Sequence, residues 1–337
     1  MRGLLSAVLL VMACGRTGFD PLHDAGAIDG AGGAPHVHTA AGWTARIAVD
    51  LTGLVPYRPD DFMDGSNEIL DNAPLAVAAL YAPFTAALAV SAGRDVIELA
   101  SDGTAIVHDY RPAVPDTSGP DQCAELVFGA PSDVGPALWI GATSQNSGDG
   151  LYSIDPTTWA IARDASNNNV NGLAWDPTGA FDATGVPAIY FIDQNDVYRR
   201  DGSDGSASAI YAEPDTMGGI AIGSSELFTT NDLTEVDLDR IYSSTHALQT
   251  IAATPGNFAI AEGPATASVA VVRDGATLAI YADDGTEQDL ASSTDPDWIW
   301  IAASAPTAPH PLAGGYVVLE SNRTLDRDDL VYLAPGP

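Results

Sequence analysis

Lysine is absent from this chain: all 13 basic residues are arginine, set against 45 aspartates and glutamates, for a formal net charge of −32. A surface that acidic repels a phosphate backbone, which excludes nucleic acid as a partner, and it offers no polybasic patch to a membrane. Cysteine is nearly missing too, with only Cys14 and Cys123. No G-x-S-x-G, G-x-x-x-x-G-K, H-E-x-x-H or C-x-x-C pattern occurs, so the common nucleophile, phosphate and metal motifs give no foothold. Beyond the N-terminus there is no apolar run long enough to cross a bilayer, and no segment carries a helical period. The apolar fraction of 46 % is still enough to fill a sizeable core.

The acidity admits two readings. One is a solvated shell that keeps the protein soluble, as in a saline habitat. The other is that some carboxylates converge on a hard cation such as Ca²⁺.

The first residues read as an address. Arg2 precedes the apolar stretch Gly3 to Ala13, which is too short for a stable transmembrane helix but has the shape of a signal peptide. Val11-Met12-Ala13-Cys14 resembles the bacterial lipobox, in which the Cys is diacylated and becomes the mature N-terminus. That resemblance implies residues 1–13 as signal peptide, lipidation at Cys14, and export to the cell envelope. Gly15 in the following position favours an outer membrane. An ordinary secretory signal that happens to contain Cys14 is the alternative. With Cys14 lipidated, Cys123 has no disulfide partner and is expected as a small buried hydrophobe. Residues 14–42, rich in Gly, Ala and Pro, read as a flexible tether holding an isolated His36-x-His38.

From residue 43 the chain repeats with a period of about 45 residues, each unit offering four short apolar or alternating runs, a to d. Five units are complete, from Leu75 to Ser292. The sixth supplies only Trp298 to Ala303, Gly315 to Glu320 and Leu330 to Ala334. An orphan run, Ala45 to Leu51, stands before the first unit. Sharing it with the last unit closes a ring with no apolar edge left open. The expected fold is therefore all-β, a six-bladed β-propeller over residues 43–337, against the alternatives of a β-sandwich pair or another blade number. Asp102-Gly103 and Asp284-Gly285 are signals for two-residue c–d turns.

In such a ring the d–a and b–c loops share one face. A polar residue stands just before each a strand: Asn72, Asp121, Asn171, Asp215, Asn257 and Asp297, spaced about 40 to 50 residues apart. Six amide or carboxylate side chains at one mouth would form a ligand rim suited to sugar hydroxyls or Ca²⁺. Asn and Asp are equally the commonest turn residues, bonded to their own backbone. A second, largely acidic set in the b–c loops includes Asp193, Gln194, Asn195, Asn231, Asp232, Glu235, Asp237, Asn322, Asp326 and Asp328. The alternating Glu235, Asp237 and Asp239 are expected to point one way.

Asn171-Gly172-Leu173-Ala174-Trp175-Asp176-Pro177-Thr178-Gly179, followed by Ile189-Tyr190-Phe191-Ile192-Asp193, resembles the six-bladed gluconolactonase/regucalcin family, with NHL-type propellers sharing similar blade wording. The resemblance implies Asn171 as a ligand of a divalent metal. Pro214-Asp215-Thr216-Met217 is similar to the family's next blade opening, which implies Asp215 as a further ligand and as the base in lactone hydrolysis. The family's metal-binding Glu has no counterpart in the first unit here, and Glu262-Gly263-Pro264 stands in the fifth. With no catalytic residue identified, the leading expectation is a monomeric, non-enzymatic binding or scaffold protein for an unknown protein, glycan or small ligand. A metal-dependent lactonase-like hydrolase and a calcium-stabilised structural protein are the alternatives.

Overall fold

The computed structural model describes residues 35–54, 74–93, 95–101, 103–110, 123–142, 150–165, 170–193, 196–212, 217–222, 226–231, 237–242, 248–253, 260–262, 268–282, 284–322, 325 and 327–336. Among them the regular structure is strand alone, in six antiparallel sheets. Two strands come first, β1 (Val37–Thr39) and β2 (Trp43–Asp50). Blade 1 is β3 (Pro74–Ala79), β4 (Leu88–Ala92), β5 (Asp95–Leu99) and β6 (Ala105–Asp109). Blade 2 is β7 (Cys123–Gly129), β8 (Ala137–Ala142), β9 (Gly150–Ile154) and β10 (Ile161–Ala165). Blade 3 is β11 (Val170–Asp176), β12 (Ala188–Asp193), β13 (Asp196–Asp201) and β14 (Ala207–Ala212). Blade 4 is β15 (Met217–Ile222), β16 (Glu226–Asn231), β17 (Asp237–Tyr242) and β18 (Leu248–Ala253). Blade 5 is β19 (Ile260–Glu262), β20 (Ser268–Arg273), β21 (Thr277–Ala282) and β22 (Glu287–Ser293). Blade 6 is β23 (Ile299–Ser304), β24 (Tyr316–Asn322) and β25 (Arg327–Pro335), completed by β2. The protein is a six-bladed β-propeller.

Alternation explains why the blades stack. Along β3, Val77 and Ala79 pack with Ala302, Leu319 and Leu330 of blade 6, whereas Ala76 and Ala78 pack with Leu126, Leu138 and Ile140 of blade 2. Successive side chains of a strand point to opposite faces, so each blade contributes to two seams at once. That is why the middle strands are apolar without alternation: β4 and β8 are buried along their whole length. The outer β6 and β14, facing water on one side, are largely exposed or half-buried.

The ring closes through the expected pair, β2 beside β25. Arg46 lies opposite Tyr332, Ile47 opposite Val331 and Val49 opposite Leu330. One feature differs from expectation. Val37–Thr39, read as tether, forms β1 and pairs with β22, giving blade 5 a fifth strand. A turn at 40–42, with the Trp43 N–H donating to the Ala40 carbonyl at 3.1 Å, carries the chain from blade 5 to blade 6. The N-terminal segment thus covers two neighbouring outer edges, which neither local propensity nor composition reveals. The tether's His36 is also held, its ring stacked 5.1 Å from that of Trp298.

The c–d turns are one residue longer than the Asp-Gly pairs suggest. Ala100 donates to the Thr104 carbonyl and Gly103 to the Ala100 carbonyl; Ala282, Thr286 and Gly285 repeat the pattern. Gly103 and Gly285 have φ of 84° and 81°, the left-handed position that ends a three-residue hairpin loop.

Candidate axial ligand site

The inner strands run with their small residues around the axis, and a cavity of about 310 Å³ remains there. Its wall is drawn from β3, β7, β11, β15, β19 and β23, one strand from every blade, through residues such as Ala78, Leu173, Ile220, Ala261 and Ala303. It lies toward the ends of these strands, running out to exposed Pro177 and Thr307. That is the a–b side of the ring, opposite the side on which the d–a rim is expected.

Three aromatic side chains stand at this end, Tyr81, Phe128 and Trp175, all half-buried. Tyr81 is fixed there. Its hydroxyl accepts from the Thr307 N–H at 2.8 Å and lies 3.1 Å from the Thr307 hydroxyl, bridging blades 1 and 6. Its ring packs 5.1 Å from Phe128 and edge-on to His310 at 5.5 Å. His310 is itself locked: its Nδ1 accepts from the Leu312 N–H at 3.1 Å, leaving Nε2 to donate to the Ala87 carbonyl at 2.8 Å. Burial, only partly offset by the Ala87 bond, holds this imidazole below its ordinary pKa, so it is neutral.

At the inner end sits Glu125. Of the cavity-lining residues it alone carries a formal charge, and it has no hydrogen-bond or ion-pair partner among the described residues. Removal from bulk water pushes its carboxyl up to about 8. One register step before Val77, Leu173 and Ile220, where blade 2 has Glu125 before Leu126, stand Ala76, Gly172 and Gly219. A β-bulge falls at this level in β3, β7, β11 and β15. A bulge breaks the ladder and re-aims its residues. The freed amides find hydroxyl partners: Ala76 N–H donates to Ser91 Oγ and Gly219 N–H to Thr230 Oγ1, both at 2.9 Å.

Of the six expected rim residues, Asn72, Asp121, Asp215 and Asn257 lie outside the described residues, as do Cys14, Gln194, Asn195, Asp232, Glu235 and Asp326. For Asn171 only the backbone is described, and it is the extra residue of the β11 bulge between Val170 and Gly172. Asp297 is exposed in the turn before β23, its N–H donating to Asp295 Oδ1 at 3.0 Å. Asp193 and Asp328 are half-buried, while Asn322 and Asp239 are buried. Asp176, within the family-like run, is a turn cap. Its Oδ1 accepts from Thr178 N–H, Thr178 Oγ1 and Gly179 N–H at 2.9 Å, and its Oδ2 from Phe181 N–H at 3.0 Å. Among the described residues no three His, Cys, Asp or Glu side chains gather as a metal ion requires.

Glu125 is the residue that sequence reasoning passed over. Its signal is a single acid inside the apolar run Cys123-Ala124-Glu125-Leu126-Val127-Phe128, at a position where three other blades have Ala or Gly.

No protein-family model matches the sequence, and no curated protein is significantly similar to it. Solved structures do share its fold. A gluconolactonase from Xanthomonas campestris superposes with a TM-score of 0.56 at 16 % identity, over 80 % of this chain and 88 % of that one. An auxiliary nutrient binding protein from Bacteroides thetaiotaomicron gives 0.53 at 8 %, over 78 % and 69 %. The WD40 domain of Pan2 from Neurospora crassa gives 0.53 at 10 %, over 89 % and 98 %. At these identities the likeness is one of architecture.

Proposed function

We propose that this chain is an exported protein, anchored to the bacterial cell envelope by lipid on Cys14, whose propeller binds a small ligand in its axial cavity without transforming it. The observation that carries the binding role is the cavity itself. It is a 310 Å³ space walled by all six inner strands, with many apolar lining residues, Glu125 the one formally charged among the described ones, and aromatic rings at one end. That combination of volume, apolar wall and few polar groups is characteristic of ligand sites. A binding role also agrees with the architecture shared with the auxiliary nutrient binding protein.

The anchor rests on the lipobox-like Val11-Met12-Ala13-Cys14, since two or more acyl chains retain a protein stably at a membrane where one does not. Cys14→Ser is expected to move the protein from the membrane fraction to the soluble fraction; unchanged partitioning into detergent defeats the anchor. For the cavity, a ligand panel read by thermal shift is the test. Ala303→Phe, which fills the space from blade 6, is expected to erase every shift, because a ligand stabilises only the state that binds it. Shifts that survive this substitution place binding elsewhere and overturn the axial site.

A second reading, a metal-dependent lactonase-like hydrolase using Asn171 and Asp215, is favoured by the bulge that carries Asn171 two residues before the cavity-lining Leu173. Turnover of a lactone with Ca²⁺ or Mn²⁺ present, lost in Asn171→Ala, would establish it in place of passive binding.

A further inference from the structure

On the reading of the axial cavity as a ligand site, we infer that its ligand is a small organic monocation, a protonated amine with a compact apolar body, whose charge is held by Glu125 and whose body lies between the inner strands and the aromatic end. The geometry sets the size. Glu125 and Phe128 are three residues apart on β7, which at about 3.3 Å per residue separates carboxylate level from aromatic level by about 10 Å. One ammonium group and a ring or short chain span that distance, and the 310 Å³ cavity accommodates them.

Charge selects the sign. Among the described residues Glu125 is the single formally charged group on the wall, and none of them neutralises it. The other titratable group among the described wall residues is Tyr81, whose hydroxyl is engaged by Thr307. Once ionised, this carboxyl repels an anion and pairs with a cation, and the field of a chain with net charge −32 acts in the same sense. The aromatic residues act in the same sense, since ring faces attract ammonium groups and ring edges pack on apolar bodies.

Binding carries a proton balance. In the empty cavity the carboxyl is held up to about 8, so at pH 7 it is mostly protonated. Docking of R–NH₃⁺ against the carboxylate sends that one proton to solvent, and no bond in the ligand is made or broken.

The test is titration calorimetry of the full chain at pH 7 with benzylammonium and with its neutral counterpart, benzyl alcohol, in two buffers of different ionisation enthalpy. Benzylammonium is expected to bind at least about tenfold tighter than benzyl alcohol and to release nearly one proton. In Glu125→Gln, benzylammonium affinity is expected to fall by about tenfold, with proton release abolished and benzyl alcohol affinity little changed. The wild-type proton release stands as a test even if that variant folds poorly. Equal binding of both compounds, without proton release and sensitive to Ala303→Phe, overturns the cation assignment while the axial site survives. Binding of neither compound overturns both.

Discussion

Two ionisable side chains, one in blade 3 and one in blade 2, are treated in opposite ways. Arg200, at the seam of blades 2 and 3, is 2 % exposed and fully engaged. It bonds Asp164 with Nε at 2.6 Å and Nη2 at 2.7 Å, takes Asp133 at 2.7 Å, and lies 4.8 Å over the Trp139 ring. Glu125, on the axial side of β7 in blade 2, faces a cavity with no partner among the described residues. A buried charge costs several kcal/mol unless it is paired. The paired arginine is therefore part of the structure, fastening two blades together, and the unpaired acid is a group held ready for something that comes and goes. Glu320 in blade 6 lies between these extremes. Burial and the neighbouring Asp329 carboxylate push it up to about 7, while Trp300 Nε1 donates to it at 3.1 Å.

Breaking the paired site should give the largest effect. Arg200→Met leaves Asp133 and Asp164 facing an apolar side chain, and the unfolding free energy is expected to fall by about 3 to 5 kcal/mol. Urea denaturation measures it; a loss below about 1 kcal/mol would remove the contrast with Glu125.

The two acids with raised pKa predict an intermediate effect with a definite sign. Glu125 and Glu320 have folded pKa values raised to about 8 and about 7 from 4.5. The folded protein then holds protons that the unfolded chain has released. Their contribution is complete below the unfolded value and is lost as pH rises through 7 and 8. The melting temperature should fall by on the order of 5 °C between pH 5 and 8, and the paired variant Glu125→Gln/Glu320→Gln should flatten the curve. A melting temperature that rises across this window in wild type refutes the assignment.

The smallest effect belongs to Asp201, which sharpens the comparison from the surface. Bonds from the Ser203 hydroxyl and Arg199 hold its carboxyl down at about 2. A depressed pKa contributes above the unfolded value and is lost as pH falls toward 2. Asp201→Asn should cost less than about 1 kcal/mol at pH 7, because the site is solvent-screened, and should reduce the acid slope of a pH 2 to 4 denaturation series.

The architecture was legible because it rests on periodicity. Ala45 to Leu51 and Leu330 to Ala334 are each apolar enough to read as strands, and a missing fourth run at one terminus matched an orphan at the other. The site was less legible. The rim was sought among Asn and Asp preceding each inner strand, where turn residues are abundant for backbone reasons alone, and Asp176 shows how such a residue serves as a cap. Glu125 lies one step further in, and its significance depends on the cavity it faces, whose wall is assembled from residues as far apart along the chain as Val77 and Thr307.

Strand identity, blade count and the closing pair follow from the chain alone, because side chains alternating on a pleated backbone need only local order to declare which faces must be buried. Which end of the axis holds the cavity, that β1 joins blade 5, and that the Glu125 carboxyl has no partner among the described residues were decided only in three dimensions. Solvation and charge pairing are set by distances between blades, and no local pattern encodes those distances.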